Sequence, residues 1–449
     1  MEFSKVFKSK FNELLVEFAR TRKLFNENHD AYFVEKARDG LILTTITPPD
    51  DINVDRVNNG VDRYCLNLYR SRLSVNLVSE LSRIIQKSLN INCFFWELDS
   101  LIEDCAYELI SNLLSKIYEG GDIFEHLLVI FDKRMLVFKN NLKKFVFQFP
   151  VNAFNGVGEI SLTKNIKIIK LNSDELMDKE FENYKQTKFF GCNYYIQIEV
   201  VTACSYELSL SLAKRSMNAI CNSLNLLSVD LYGRCAPLIT SSDSFGHLFE
   251  FYRYGEIGSK LESSRTRTFL EPRSKQLWQD LIINKDNPNT IFNAILKIPE
   301  LLLIPNNSEP LVLELVERSL IWYGEAVSER NELQRVQKIV TAIEALTNFK
   351  EENTTETFKL RVMYLNMTSS GFDQSIYKNA GKIYSVRSSI VHGAACKKMI
   401  DFDYIKMCSN TLINAILYFQ EFGLTRSNFR RTLPNFIDNI VNKVPNVSN

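Results

Sequence analysis

Of 449 residues only four are histidine, and no two of the nine cysteines stand two or three positions apart. That excludes paired-cysteine zinc sites and CxxC redox motifs, and with so few histidines neither a catalytic metal nor another cofactor is expected. Scattered cysteines at apolar positions read as reduced, buried thiols. Eleven prolines and sixteen glycines form no linker, repeat or low-complexity tract. There is no Gly-x4-Gly-Lys-Ser/Thr loop, no GxGxxG after a strand, no HExxH and no GxSxG. The longest apolar runs, such as Leu127 to Phe131 and Leu301 to Ile304, are far too short to span a bilayer. The N-terminus, Met1-Glu-Phe-Ser-Lys-Val-Phe-Lys-Ser-Lys10, is too charged for a secretory signal, so a cytoplasmic protein with no membrane partner is expected. Charge of one sign is also missing. Lys and Arg number 54 against 53 Asp and Glu, so bulk charge argues neither for nor against nucleic acid.

What is present is an ordinary globular composition, 45% hydrophobic and 24% charged, with chain enough for two or three domains. Residues 1–120 read mainly as helices: Phe7, Phe11, Leu14, Leu15 and Phe18 recur at helical spacing, as do Leu77, Leu81, Ile84 and Leu89. Short strands are expected at Leu41–Ile46 and Asn92–Trp96. Residues 121–304 read as β-rich with helices. Strands are expected at Leu127–Phe131, Met135–Phe138, Phe145–Phe149, Ile166–Lys170 and Tyr195–Val200, with Asp132-Lys133 and Asn140-Asn141 as tight connections. A helix capped by Ser205 follows, with Leu208, Leu212, Ser216, Ile220, Leu224 and Leu227 on one face, and another piece runs through Gln276–Ile282. Asp230–Glu256 reads as irregular.

Pro305-Asn-Asn-Ser-Glu-Pro310 marks the clearest boundary, and residues 305–449 read as five amphipathic helices in a bundle. Their stripes are Leu311–Ala326, Leu333–Leu346, Phe358–Leu365, Ile376–Ile390 (ended by Gly393) and Ile405–Phe419 (ended by Gly423). The fold class is thus α+β: a mixed helical and β-rich N-terminal region before an all-α bundle.

Chemistry concentrates in Tyr384-Ser-Val-Arg-Ser-Ser-Ile-Val-His-Gly393. Arg387 is a fixed cation able to hold phosphate in a fork, and His392 can move a proton near neutral pH. Together they approach the minimum needed to cleave RNA without a metal. Ser388 and Ser389 between them are small, and His392 sits in the last helical turn, where the macrodipole favours positive charge. Spacing alone is weak: Arg22 precedes His29 by seven residues, in what reads as a frayed helix end and polar loop. Residues five apart on a helix are also rotated by about 140°, so a second element or subunit must complete a site.

The string Ile383 to Gly393 resembles the signature of HEPN domains, Arg followed by four to six residues and His, and is closest to the Apea-like branch. Ile339-Val-Thr-Ala-Ile-Glu-Ala-Leu346 is similar to the helix that precedes that signature. The resemblance covers about residues 305–435. It implies a helical bundle that dimerises, with Arg387 and His392 of both copies lining a cleft on the two-fold axis. It further implies a metal-independent endoribonuclease of the antiphage, abortive-infection or toxin type, acting on RNA such as tRNA or mRNA. The RNA 2′-OH would attack the adjacent phosphorus to give a 2′,3′-cyclic phosphate and a 5′-OH. Arg387 would stabilise the phosphorane and His392 would shuttle the proton. Ser388 stands where the family often has Asn, Asp or His. Glu344 would orient Arg387, and the N-terminal region would sense a phage-derived or protein trigger.

Competing readings attach to each residue. Arg387 and His392 also suit a structural pair closing a helix end, or a non-catalytic module that binds RNA, a nucleotide or a protein. Glu344 alone reads first as a structural partner. Lys397, Lys398, Arg426, Arg430 and Arg431 suit an RNA path, though each singly reads as a solvated charge. Ser263–Thr268 is similarly ambiguous. Trp322 and Tyr323 read as core or dimer contact rather than base-stacking platforms.

Overall fold

The computed structural model describes residues 4–40, 45–46, 68–114, 121–153, 158–170, 194–228, 239–241, 250–254, 263–267, 271–306, 310–329, 331–349, 354–368, 371–393, 400 and 402–440. The chain divides into two compact units, residues 1–145 with 202–210, and residues 146–201 with 211–449.

The first unit is helical. It contains α1 (Lys5–Glu27), α2 (His29–Asp39), α3 (Arg72–Leu89), α4 (Phe95–Leu114) and α5 (Ile123–Asn140), with a two-stranded ribbon of β1 (Thr45–Ile46) and β2 (Leu68–Tyr69). Phe7, Phe11, Leu14 and Phe18, spaced three and four apart, form one wall of its core, facing Leu77, Leu81 and Ile85 of α3 and Leu98, Ile102 and Cys105 of α4. The Arg134 guanidinium, mostly buried, spans to Glu108 of α4.

Leu127–Phe131 and Met135–Phe138, expected as strands, are successive turns of α5. Leu127, Ile130, Phe131 and Met135 face the core at helical spacing, while Val129, Leu136 and Val137 face solvent. The Asp122 carboxylate accepts from the Phe124 N–H and starts the helix, and Asp132-Lys133 lies inside it rather than in a turn. Asn92–Trp96 is likewise not a strand. Residues 91–94 lead into α4, where Glu97 turns back to accept the Phe94 N–H. Of Leu41–Ile46 only Thr45–Ile46 is described, as β1. Arg22 lies on α1 and His29 opens α2, so their junction is a helix-to-helix corner at Asn28 and not a loop; the His29 ring stands 4.1 Å from that of Phe25.

Most of the second unit's β structure is one sheet. Its strands are β3 (Lys143–Ala153), β4 (Ile160–Ser161), β5 (Ile166–Lys170), β6 (Tyr194–Cys204) and β7 (Ile239–Ser241), in the order β4-β5-β6-β3-β7. The β5–β6 pair is antiparallel with Ile166 opposite Ile198 and Ile168 opposite Ile196. Those isoleucines, with Val200, form a buried face at period two. Lys167 and Glu199, and Gln148 and Gln197, pair on the other face. A separate ribbon pairs β8 (Glu250–Tyr254), in a stretch expected as irregular, with β9 (Ser263–Arg267).

The helices of this unit are α6 (Tyr206–Leu227, whose first turn belongs to the other unit), α7 (Glu271–Asn284), α8 (Ile291–Leu301), α9 (Val312–Ser328), α10 (Glu332–Thr347), α11 (Thr354–Leu365), α12 (Gln374–Val391), α13 (Tyr404–Phe422) and α14 (Thr432–Asp438). Ser205 caps α6, accepting from the Leu208 N–H. The core joins Ala219 and Leu226 of α6 and Ile295 and Ile298 of α8 to Val312, Val316 and Tyr323 of α9, Ile339 and Ile343 of α10, Phe358 of α11, Ile383 of α12 and Leu412 of α13. It therefore joins elements on both sides of residues 305–310, the boundary read from sequence. Helix α8, capped by Thr290, was not expected; Pro299 in its last turn disguises it. Glu300 of α8 accepts from Thr163 and Asn165 at the β4–β5 turn, tying the sheet to the bundle.

Helix α9 passes close to α6 at Gly324. A Cβ there would stand 1.9 Å from Asn222 Oδ1 and 2.4 Å from Asn222 Cγ, so the glycine makes room for the asparagine. Gly324→Ala is expected to destabilise the fold by about 1–3 kcal/mol through overpacking, and Asn222→Ala should recover part of the loss. Urea unfolding of the two single variants and the double variant tests this; an unchanged midpoint for Gly324→Ala would contradict the close crossing.

Candidate functional site

Helix α12 begins at Asp373, whose carboxylate accepts from the Ser375 N–H at 2.8 Å. It is held by Ala380, Ile383, Tyr384 and Val386, spaced to face α10 and α11. It ends where the His392 N–H donates to the Ser388 carbonyl at 3.1 Å and Gly393 takes a left-handed φ of 68°. A Cβ resists that conformation, so glycine at this position redirects the chain just past the imidazole.

Arg387 points to α10. Its Nη2 forms an ion pair with Glu344 Oε2 at 3.0 Å, with side-chain exposures of 26% for the arginine and 16% for the glutamate. Glu344 is set by Asn331, which caps α10 through the Leu333 and Gln334 N–H groups, and by the buried Ile343 beside it. The guanidinium lies 5.9 Å from the Tyr384 ring centroid, one helical turn back. Tyr384 was not picked out from sequence, although its spacing of three from Arg387 was the available signal. Arg387 Nε is buried and has no hydrogen-bond partner. A buried N–H without an acceptor costs about 1–3 kcal/mol.

His392 is exposed at the C-terminal cap of α12. Since α12 is regular to Val391, Arg387 and His392 stand about 140° apart around its axis and about 7.5 Å apart along it. One copy thus brings Arg387 to Glu344 but does not turn Arg387 and His392 to the same side. Ser388, half-buried, shares the His392 side and receives its backbone N–H. Ser389 Oγ is engaged by the Ser385 carbonyl at 2.9 Å.

The outlying cations fall in different places. Lys397 and Lys398 lie outside the described residues. Arg426 is exposed, with its guanidinium 4.6 Å from the Phe422 ring centroid. Arg430 and Arg431 are exposed in the short turn Phe429–Arg431. Tyr323 is fully buried and accepts from Ser409, and Trp322 packs against the core, so on this chain neither is a stacking platform. Among the described residues no three His, Cys, Asp or Glu are grouped to hold a metal ion, and no helix is long and apolar enough to cross a membrane. Comparison with protein-family models, with curated proteins and with solved structures yields no match for this chain.

Proposed function

We propose that this protein is a metal-independent endoribonuclease of the HEPN type, acting as a homodimer in the cytoplasm as an antiphage, abortive-infection or toxin-type effector. The observation that carries the reading is the end of α12. An exposed imidazole stands five residues beyond a guanidinium that is ion-paired to Glu344 and whose Nε lacks an acceptor.

The chemistry needs few parts. The RNA 2′-OH attacks the adjacent phosphorus, a P–O bond forms to O2′, and the bond to O5′ breaks. His392 moves the proton between these oxygens, and Arg387 neutralises charge on the non-bridging oxygens. Glu344 keeps the fork aimed, and Ser388 donates a hydrogen bond to the phosphate. A two-fold axis beside α12 brings two copies of each residue to one cleft, which offsets their separation around a single helix. Lys397, Lys398, Arg426, Arg430 and Arg431 contact the flanking backbone of a tRNA or mRNA. The remainder of the chain restrains the nuclease until a phage-derived or protein trigger arrives.

The test is incubation of the purified chain with total tRNA and mRNA in EDTA, with and without lysate from phage-infected cells. The expected products carry 2′,3′-cyclic phosphate and 5′-hydroxyl ends. RNA left intact in every condition would refute the nuclease reading. The Arg387–Glu344 ion pair favours one rival, a non-catalytic module that binds RNA, a nucleotide or a protein partner, because it gives the guanidinium a structural role. Binding that persists in His392→Ala, with no cleavage under any condition, is its mark.

A further inference from the structure

Two cysteines far apart in sequence meet in the first unit. Cys93 lies in the short connection from α3 to α4, and Cys204 is the last residue of β6. The Ser205 N–H donates to the Asn92 carbonyl at 3.0 Å. The donating peptide begins at the Cys204 Cα, and the accepting peptide ends at the Cys93 Cα. The two Cα atoms therefore flank one hydrogen bond, as opposite residues of a strand pair do, which places such atoms about 4.5–5.5 Å apart. Disulfides span Cα separations of about 4.4–6.8 Å.

The backbone on both sides is fixed. Gln86 of α3 donates to the Cys93 carbonyl at 3.1 Å. Glu97 of α4 accepts from the Phe94 N–H at 2.8 Å and from the Ser205 hydroxyl at 2.7 Å. The Asn92 amide reaches the Ala203 carbonyl at 3.3 Å. Both cysteine side chains turn inward, at 1% and 0% exposure, while Ala203 is exposed and Asn92 half-buried. Burial pushes the Cys93 thiol up to about 12, and Glu97 and the neighbouring Cys204 add to the rise. Burial likewise raises Cys204 to about 11. Thiols held so high carry little thiolate at neutral pH and stay reduced without a sustained oxidant.

We infer that Cys93 and Cys204 are a dithiol that peroxide closes into an intramolecular disulfide, stapling the α3–α4 connection to the end of β6. One sulfur attacks the O–O bond of hydrogen peroxide, becoming a sulfenic acid as the first water leaves. The second sulfur attacks the sulfenic sulfur, the S–S bond forms, and a second water carries off the hydroxyl and the remaining thiol proton. The two sulfurs lose two electrons in all, and the peroxide gains them. The bond closes the long loop of residues 93–204, and long loops restrain the unfolded chain most. The inference does not depend on the nuclease reading.

The experiment treats the full reduced chain, natively folded, with excess hydrogen peroxide overnight. The chain is then denatured, its remaining thiols alkylated, and its peptides read by mass spectrometry with and without dithiothreitol. A peptide pair joined through Cys93 and Cys204 is expected, lighter by two hydrogens than its reduced parts and parted by dithiothreitol. Cys105, fully buried in α4, should remain a thiol. The oxidised chain should unfold at a higher urea concentration than the reduced one, and dithiothreitol should reverse the rise. In Cys93→Ala and in Cys204→Ala peroxide should give neither the joined pair nor the rise. Recovery of both residues as alkylated thiols would overturn the inference, as would their pairing with other cysteines or with a second chain. A joined pair without a rise in the midpoint would overturn the staple.

Discussion

His392→Ala is expected to lower the rate of RNA cleavage by about 10²–10⁴-fold, the usual worth of a positioned proton-transfer group, without moving the unfolding midpoint. The separation follows from its place. The contact that finishes α12 is made by the residue's backbone N–H, which alanine also has, and the imidazole is exposed. Exposed substitutions of that kind stay within about 0.5 kcal/mol. Arg387→Ala should behave differently, because it removes the cation and also leaves the largely buried Glu344 carboxylate without it. Cleavage should fall by a comparable factor and stability by about 1–3 kcal/mol. Arg387→Lys keeps the charge but not the fork, so it should regain stability more than activity. Gel-based cleavage rates and urea unfolding on the three variants check the pattern. Full activity in His392→Ala would remove the imidazole from the mechanism, and parallel loss of activity and stability in all three would indicate a structural pair.

Asp438→Ala should be among the most destabilising changes at a half-exposed position, costing about 2–4 kcal/mol. Its carboxylate accepts from Arg361 Nε at 2.9 Å and Nη2 at 3.1 Å, while Arg361 is only 2% exposed and Asp438 49%. The same guanidinium donates to the Thr347 carbonyl at the end of α10 and lies 5.4 Å from the Phe349 ring centroid. Removing the aspartate takes one carboxylate away from a cation that is only 2% exposed. Removing the arginine leaves a carboxylate that water can reach. Arg361→Met ends the same ion pair and also takes the donor from the Thr347 carbonyl, so it should cost at least as much as Asp438→Ala. Paired urea titrations decide the order, and a wild-type midpoint for Asp438→Ala would show that water or other acceptors already serve Arg361.

The α+β class and the bundle stripes were legible because their apolar residues recur at clear periods. In α10, Val336, Val340, Ile343 and Leu346 are all fully buried or nearly so. Helix α5 was not legible: Leu127–Phe131 is an unbroken apolar run in which helix and strand patterns coincide, and three apolar residues of the helix, Val129 within that run and Leu136 and Val137 beyond it, face solvent. Its start signal, Asp122 followed by Glu125, was present and was outweighed by β-branched and aromatic content. Helix α8 hid behind Pro299. At the candidate site, the string singled out Arg387 and His392, but only packing could show that Arg387 reaches Glu344 and lies 5.9 Å from the Tyr384 ring centroid, since contact between α10 and α12 has no local sequence mark.

The core shared by elements on both sides of residues 305–310 sets a limit on how the protein can be cut. Val312, Leu313 and Val316 lie in the same core as Ile298 and Leu302, which precede the prolines, and as Ala219 and Leu226 far upstream. A fragment of residues 305–449 would begin with that wall bare, and contiguous apolar surface draws chains into aggregates. Any shorter piece made to carry Arg387 and His392 must keep α6 and α8, so the site is inseparable from sequence that, by composition, seemed to belong to another domain.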